Sequence, residues 1–208
     1  MTDAAAALVV FDLDGTLLRG DTVCEGVARH IGRLRRMREM ECAFWSSVAA
    51  DREEMASWYQ PYAREHLAQG LRYARLAPGA QEGVRLLDQC GITVAICSAT
   101  WAFGVEWVAD RLGVRHFVGT GLDPAGRITH FGPDDKPLWT DRLRAQLGIP
   151  AERVAAVGDS GGDIPLLRAV PHAYFVGKDL PATLGDHATH LPDGDIREVA
   201  LHILGRLG

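Results

Sequence analysis

No apolar run in this 208-residue chain approaches the ~18 residues that a membrane-crossing helix needs. Positive charge is in short supply. Lysine and arginine number 22 against 27 aspartates and glutamates, a net charge of −5. That balance argues against general binding to DNA, RNA or an anionic membrane. The four cysteines, Cys24, Cys42, Cys90 and Cys97, have neither CxxC nor Cys/His zinc spacing. They read as reduced thiols of a cytoplasmic protein. The eight histidines form no metal pattern. The opening MTDAAAALVVF has no basic n-region and its apolar run ends in an aspartate pair, which argues against a secretory leader. Beyond the short alanine run there is no low-complexity stretch and no repeat.

What is present is an ordinary globular composition, 47% apolar and 24% charged. Its length suits one domain, or one domain with a small insert. Four continuous apolar runs read as buried strands of a parallel sheet: 7–11, 93–98, 153–159 and 173–177. Helical spacing over 79–91, 101–113 and 136–148 ends each time at a glycine suited to a helix C-terminus. Residues 116–131 read as a hairpin turning at 123–126. Strands alternating with helices predict a doubly wound α/β sheet.

Residues 20–77 break that rhythm, with helix formers nearly throughout and no convincing strand. Thr22 with Glu25, and Asp51 with Glu54, have capping-box spacing. The expected organisation is a core of 1–19 and 78–208, with a helical cap at 20–77 inserted after the first strand. The basic run 29–39 reads as a solvated helix face. Phe44, Trp45, Trp58, Tyr59 and Tyr62 read as the cap's own core.

In open parallel sheets, ligands bind beyond the carboxyl ends of the strands. Here those ends are chemically unusual. The first strand runs into Asp12-Leu13-Asp14-Gly15, the second into Ser98-Ala99-Thr100, the third into Gly158-Asp159-Ser160-Gly161-Gly162-Asp163. Lys136 opens the helix before the third strand. Adjacent carboxylates cost free energy unless a cation offsets them. Several together call for a hard cation, with Mg²⁺ the natural choice. A lysine and a serine hydroxyl beside them suit a phosphate.

These four stretches resemble, in order and spacing, the four motifs of the haloacid dehalogenase superfamily of phosphohydrolases. The inserted helices are similar to the small cap of its phosphoserine phosphatase-like branch. The resemblance implies that Asp12 attacks phosphorus, forming an aspartyl-phosphate, while Asp14 serves as acid and then base. It implies that Mg²⁺ is held by Asp12, the Asp14 carbonyl and Asp159, with Asp163 holding the metal or its waters or fixing Lys136. Ser98 and the Ala99 amide would hold phosphate oxygens, and Lys136 would neutralise the nucleophile and the transferring group. Asp21 occupies about the position of a cap acid that holds a substrate ammonium. The family's cap arginine aligns with no one residue, and Arg52 is left out of the site.

The chain departs from that pattern at Ala99-Thr100-Trp101, where relatives are glycine-rich, and at Gly162, where they carry asparagine. The departures leave open phosphoserine, or the phosphate of another amino acid, an amino alcohol, a sugar or a secondary metabolite. Asp14 argues against dehalogenation and P–C cleavage, whose agents resemble this pattern but lack that acid. Nucleophile and acid together argue against a non-catalytic phospholigand binder. The partner expected is a small phosphate ester, with no nucleic acid and no membrane, acting on a monomer or homodimer.

Overall fold

The computed structural model describes residues 7–42 and 48–207. In chain order, β1 (Ala7–Phe11) and β2 (Leu18–Arg19) precede four helices: α1 (Val23–His30), α2 (Leu34–Cys42), α3 (Val48–Tyr59) and α4 (Arg64–Ala68). Then come β3 (Arg75–Leu76), α5 (Ala80–Gln89), β4 (Ile92–Trp101), α6 (Ala102–Leu112), β5 (His116–Leu122) and β6 (Ile128–Thr129). The chain closes with α7 (Asp135–Gln146), β7 (Val154–Gly158), α8 (Ile164–Ala169), β8 (His172–Phe175), β9 (Ala188–His190) and α9 (Ile196–Leu207).

Seven strands form one sheet in the order β6-β5-β4-β1-β7-β8-β9, parallel except at the β5–β6 hairpin. β1 is central because both its faces are apolar. Val9 and Phe11 join a core with Val84, Val108 and Ile203 of α5, α6 and α9. Leu8 and Val10 join a second core with Leu143, Leu166 and Leu167 of α7 and α8. A strand packed on both faces has to be apolar at every position. The sheet is therefore wound on both sides, as the alternation of runs and helices predicts. Among the described residues no helix is long and apolar enough to cross a membrane.

Residues 20–77 are helical but not free of strand. Arg75–Leu76 pairs antiparallel with Leu18–Arg19, and this two-residue ribbon closes the base of the inserted helices. The Thr22–Glu25 capping box forms. The Asp51–Glu54 box does not. Asp51 lies inside α3, and Glu54 instead accepts two hydrogen bonds from Arg36 at 2.9 and 2.8 Å. Three positions of separation fit a helix interior as well as a cap. Tyr59 is buried edge-on against Trp101 and Phe103, at 5.5 and 6.0 Å between ring centroids. Tyr62 is exposed and stacks on His66 rather than joining the core. Phe44 and Trp45 lie outside the described residues. The basic run is exposed and largely paired, with Arg29 on Asp21, Arg36 on Glu54 and Arg38 on Glu25. Cys24, Cys90 and Cys97 are free thiols.

Within the inserted segment the backbones of α1 and residues 69–73 nearly touch. A Cβ at Gly70 would sit 2.7 Å from the Gly26 carbonyl oxygen and 2.8 Å from the Val27 Cα. Gly70→Ala is expected to destabilise the protein by about 1–3 kcal/mol, read as a lower urea midpoint, although it removes no group of the sheet's polar site.

Candidate active site

β1 delivers Asp12 to the sheet's carboxyl edge, where the Asp12 amide still donates to the Val157 carbonyl of β7 at 2.9 Å. The chain then turns sharply. The amides of Thr16 and Leu18 both donate to the Leu13 carbonyl. Gly15 sits at the apex with φ +85°, and a side chain there would overlap the Asp159 carboxylate. Only glycine allows both that dihedral and that approach. The turn therefore brings the end of β7 against the end of β1.

Lys136, in the first turn of α7, reaches into the same place and is 2% exposed. Its ammonium donates to Asp12 Oδ1 at 2.7 Å and to Asp163 Oδ1 at 2.6 Å. Asp163 is fully buried. Its other oxygen accepts from the Asp159 amide, the Ser160 amide and the Ser160 hydroxyl, each at 3.1 Å. Asp163 is thus committed to fixing Lys136 and the turn after β7. Thr16 donates its hydroxyl to Asp159 Oδ1 at 2.8 Å. It orients that carboxylate.

Asp12, Asp159 and Asp163 each offer an oxygen within 4.8 Å of the others. Burial raises the Asp12 carboxyl above the usual range, Asp163 adds to the rise, and Lys136 opposes it. Burial likewise raises Asp159, against the Thr16 hydrogen bond. Lys136 stays protonated. Burial disfavours its charge, but Asp12 and Asp163 more than offset that. One ammonium among three carboxylates leaves negative charge uncompensated. Among the described residues, Oδ2 of Asp12 and Oδ2 of Asp159 receive no hydrogen bond. An unpaired Asp159 oxygen and excess negative charge over three clustered carboxylates fit a hard divalent cation.

Asp14 lies on the other side of the turn. Its Oδ1 accepts from the Val23 amide at the start of α1, at 2.8 Å. Burial raises its carboxyl to about 6. A carboxyl held there can carry a proton near neutrality.

The second predicted stretch sits in a β-bulge. Between Cys97 and Trp101, β4 advances four residues while β5 advances two. A bulge re-aims the backbone locally. Ser98 is buried at the bulge, and its Oγ faces the Thr100 amide at 3.5 Å. The Ala99 carbonyl accepts from Thr120 Oγ1 at 2.9 Å and from Arg52 Nη2 at 2.8 Å. Arg52 Nη2 also donates to the Phe131 carbonyl at 2.7 Å.

The structure thus gathers Asp12, Lys136, Asp159 and Asp163 into one cluster, with Asp14 and Ser98 at neighbouring strand ends. Asp21 stands differently. Arg29 holds both its oxygens, at 2.8 and 2.9 Å, near the surface. Arg52, left out on sequence grounds, is the contact that joins α3 to the second motif. Its signal was the inward stripe Arg52, Met55, Ala56 and Tyr59, all buried on one helix face. Thr120 carried no comparable signal.

The strand ends of the parallel sheet thus converge four acidic and basic side chains in one place. The family described as haloacid dehalogenase-like hydrolase matches residues 9–168, and the chain belongs to it. Within it, the chain is phosphoserine phosphatase-like. It is 29% identical to a phosphoserine phosphatase of Streptomyces coelicolor over 97% of this chain and 51% of that protein. It is 27% identical to one of Archaeoglobus fulgidus over 75% of this chain and 48% of that one. The chain thus spans about half the length of these two relatives. A solved structure described as a phospho-aspartyl intermediate analogue of phosphoserine phosphatase superposes with a TM-score of 0.79 at 19% identity. It covers 95% of this chain and 99% of that one, which speaks for a shared fold.

Removing one member of a buried charge cluster leaves the others unpaired. Lys136→Ala is expected to lower stability by about 3–5 kcal/mol, measured by urea denaturation at neutral pH in chelator. A second change, Asp163→Asn on that background, should recover part of the loss.

Proposed function

We propose that the chain is a Mg²⁺-dependent phosphomonoesterase acting on a small phosphorylated metabolite, with phosphoserine as the reference substrate. The observation that carries this reading is the Lys136 ammonium bridging Asp12 and Asp163 while Asp12 Oδ2 faces no donor. One oxygen of the nucleophile is fixed and the other is free to attack.

On this reading, Asp12 Oδ2 forms the bond to phosphorus as the ester oxygen departs with its electron pair. Asp14 gives that oxygen a proton. It then takes one from the water that hydrolyses the aspartyl-phosphate, releasing phosphate and restoring Asp12. Ser98 and the Ala99 amide hold non-bridging oxygens, and Lys136 offsets charge on the nucleophile and the phosphoryl group. Mg²⁺ would be held by Asp12, Asp159 and the Asp14 carbonyl, with Asp163 behind them, and would supply positive charge against the phosphoryl oxygens. Residues 20–77 act as a cap that covers the site and excludes water. The α3 contact through Arg52 supports this. An ammonium on the substrate would reach Asp21 only in competition with Arg29. Free thiols at Cys24, Cys90 and Cys97 support a cytoplasmic setting.

The reading is tested by phosphate release from a panel of phosphate esters. Asp12→Asn should abolish release with an unchanged circular dichroism spectrum, because an amide is a very poor nucleophile. Turnover within about tenfold of wild type would remove Asp12 from that role.

EDTA should stop phosphate release, and added Mg²⁺ should restore it. Asp159→Ala should raise the Mg²⁺ concentration for half-maximal rate by about an order of magnitude or more, since a ligand is lost. An unchanged Mg²⁺ titration would sink the assignment.

A further inference from the structure

We infer that Arg52 is a positioning residue: from α3 it holds in place, at once, the segment that carries Ser98 and the turn that carries Lys136. The inference rests on the phosphatase reading above and deepens it.

Two carbonyls share the same two partners. The Ala99 carbonyl accepts from Arg52 Nη2 at 2.8 Å and faces Thr120 Oγ1 at 2.9 Å. The Phe131 carbonyl accepts from the same Nη2 at 2.7 Å and faces the same Oγ1 at 3.1 Å. A hydroxyl has a single proton, so Thr120 can donate to one of these carbonyls but not to both. Its lone pairs face the Phe131 amide, at 3.4 Å. Nη2 of a guanidinium carries two protons, one for each carbonyl. The sheet therefore offers one side-chain proton to two acceptors, and α3 supplies the rest. Arg52 and Thr120 are both buried. The other polar contact of Arg52, Nη1 to His130 Nδ1, is long at 3.4 Å.

Both carbonyls flank residues of the site in the chain. A peptide is planar, so holding the Ala99 carbonyl fixes the plane of the Ala99–Thr100 peptide. That plane adjoins Ser98 and the Ala99 amide, to which the reading above assigns phosphoryl oxygens. It lies in the β4 bulge, where pairing to β5 is interrupted. The Phe131 carbonyl belongs to the Phe131–Gly132 peptide, whose N–H donates to Asp135 Oδ2 at 2.8 Å. The Asp135 amide donates back to the Gly132 carbonyl at 3.1 Å, and Lys136 follows directly. One nitrogen of Arg52 thus ties the phosphate-holding segment to the lysine-bearing turn.

The test separates positioning from substrate contact and from stability. Phosphoserine carries a carboxylate that a guanidinium could bind, and p-nitrophenyl phosphate carries none. Misplacing groups around the transferring phosphoryl costs the transition state more than the bound substrate. Arg52→Met should therefore lower kcat by about ten- to a hundredfold on both esters, with KM within about threefold of wild type. Thr120→Val should keep kcat within about threefold, because Arg52 still offers a proton to each carbonyl. The double variant should lose more than the product of the two single losses, since only then do both carbonyls lack a side-chain donor. Arg52→Lys, whose ammonium has three protons, should return kcat to within about tenfold of wild type. Circular dichroism and the urea midpoint accompany each variant. Arg52→Gln repeats the comparison if the methionine variant loses the wild-type spectrum.

A loss confined to phosphoserine, or a rise in KM with kcat unchanged, would make Arg52 a substrate contact and overturn the inference. A lower urea midpoint with wild-type kcat, or no recovery with lysine, would overturn it too, and the phosphatase reading would stand. Where the wild type turns over one ester only, the split between kcat and KM decides. Phosphate release from no ester of the panel would bring down the phosphatase reading itself, and the inference with it.

Discussion

The Lys136 ammonium lies between two buried carboxylates, and the geometry of the strand ends follows from holding these three groups together. A buried ion cluster is a poor way to stabilise a fold, because desolvation cancels most of the attraction. Its value here is control of charge. Burial pushes Asp12 toward its neutral form, and Lys136 pushes back. Lys136 can do so only if it stays in place, and Asp163 holds it there. Asp163 is itself pinned by two amides and a hydroxyl of the turn after β7. β1, α7 and the β7 turn are therefore locked as one unit. Asp159 joins them through Thr16, so the two carboxylates with free oxygens are each fixed from behind.

The inserted helices attach to this unit through backbone groups. Val23 offers an amide to Asp14, and Arg52 donates to the carbonyls of Ala99 and Phe131. A buried guanidinium is costly unless its donors are met, and carbonyl oxygens meet them without adding a counter-charge. Burial lowers the affinity of Arg52 for its proton, with Asp135 among the groups that oppose the shift. Such a contact is directional and small in number.

Much of this was legible in the sequence. Asp12, Asp14 and Asp159 stood out because carboxylates at the ends of apolar runs have few structural reasons to be there, whereas Lys136 and Asp163 stood out through the order and spacing of the motifs. The inner strands were legible because both faces are buried. What was missed was missed for physical reasons. β2 and β3 are two residues each, too short to show a period. Arg52 bonds to main-chain carbonyls, which every residue possesses and no sequence pattern marks. Asp51 and Glu54 carry a spacing that a cap and a helix interior share, and Arg36 decided between them from another helix. Tyr62 was grouped with the buried aromatics by composition, yet it lies in the bend after α3 and is exposed.

The departure at Ala99-Thr100 takes on a structural meaning at the bulge. A trans peptide holds its C=O and N–H in opposite directions. Thr120 and Arg52 fix the Ala99 carbonyl on one side, so the Thr100 amide must point to the other, where Ser98 Oγ lies at 3.5 Å. The plane of that peptide is set by two side chains, one from β5 and one from α3. Glycine at these positions would leave the plane freer to rotate and would rely on the bound ligand to set it. With alanine and threonine the chain has less conformational freedom there. The same two residues thus orient the bulge's polar groups and engage the helical segment, so the departure from the glycine-rich pattern couples these two tasks in one stretch of chain.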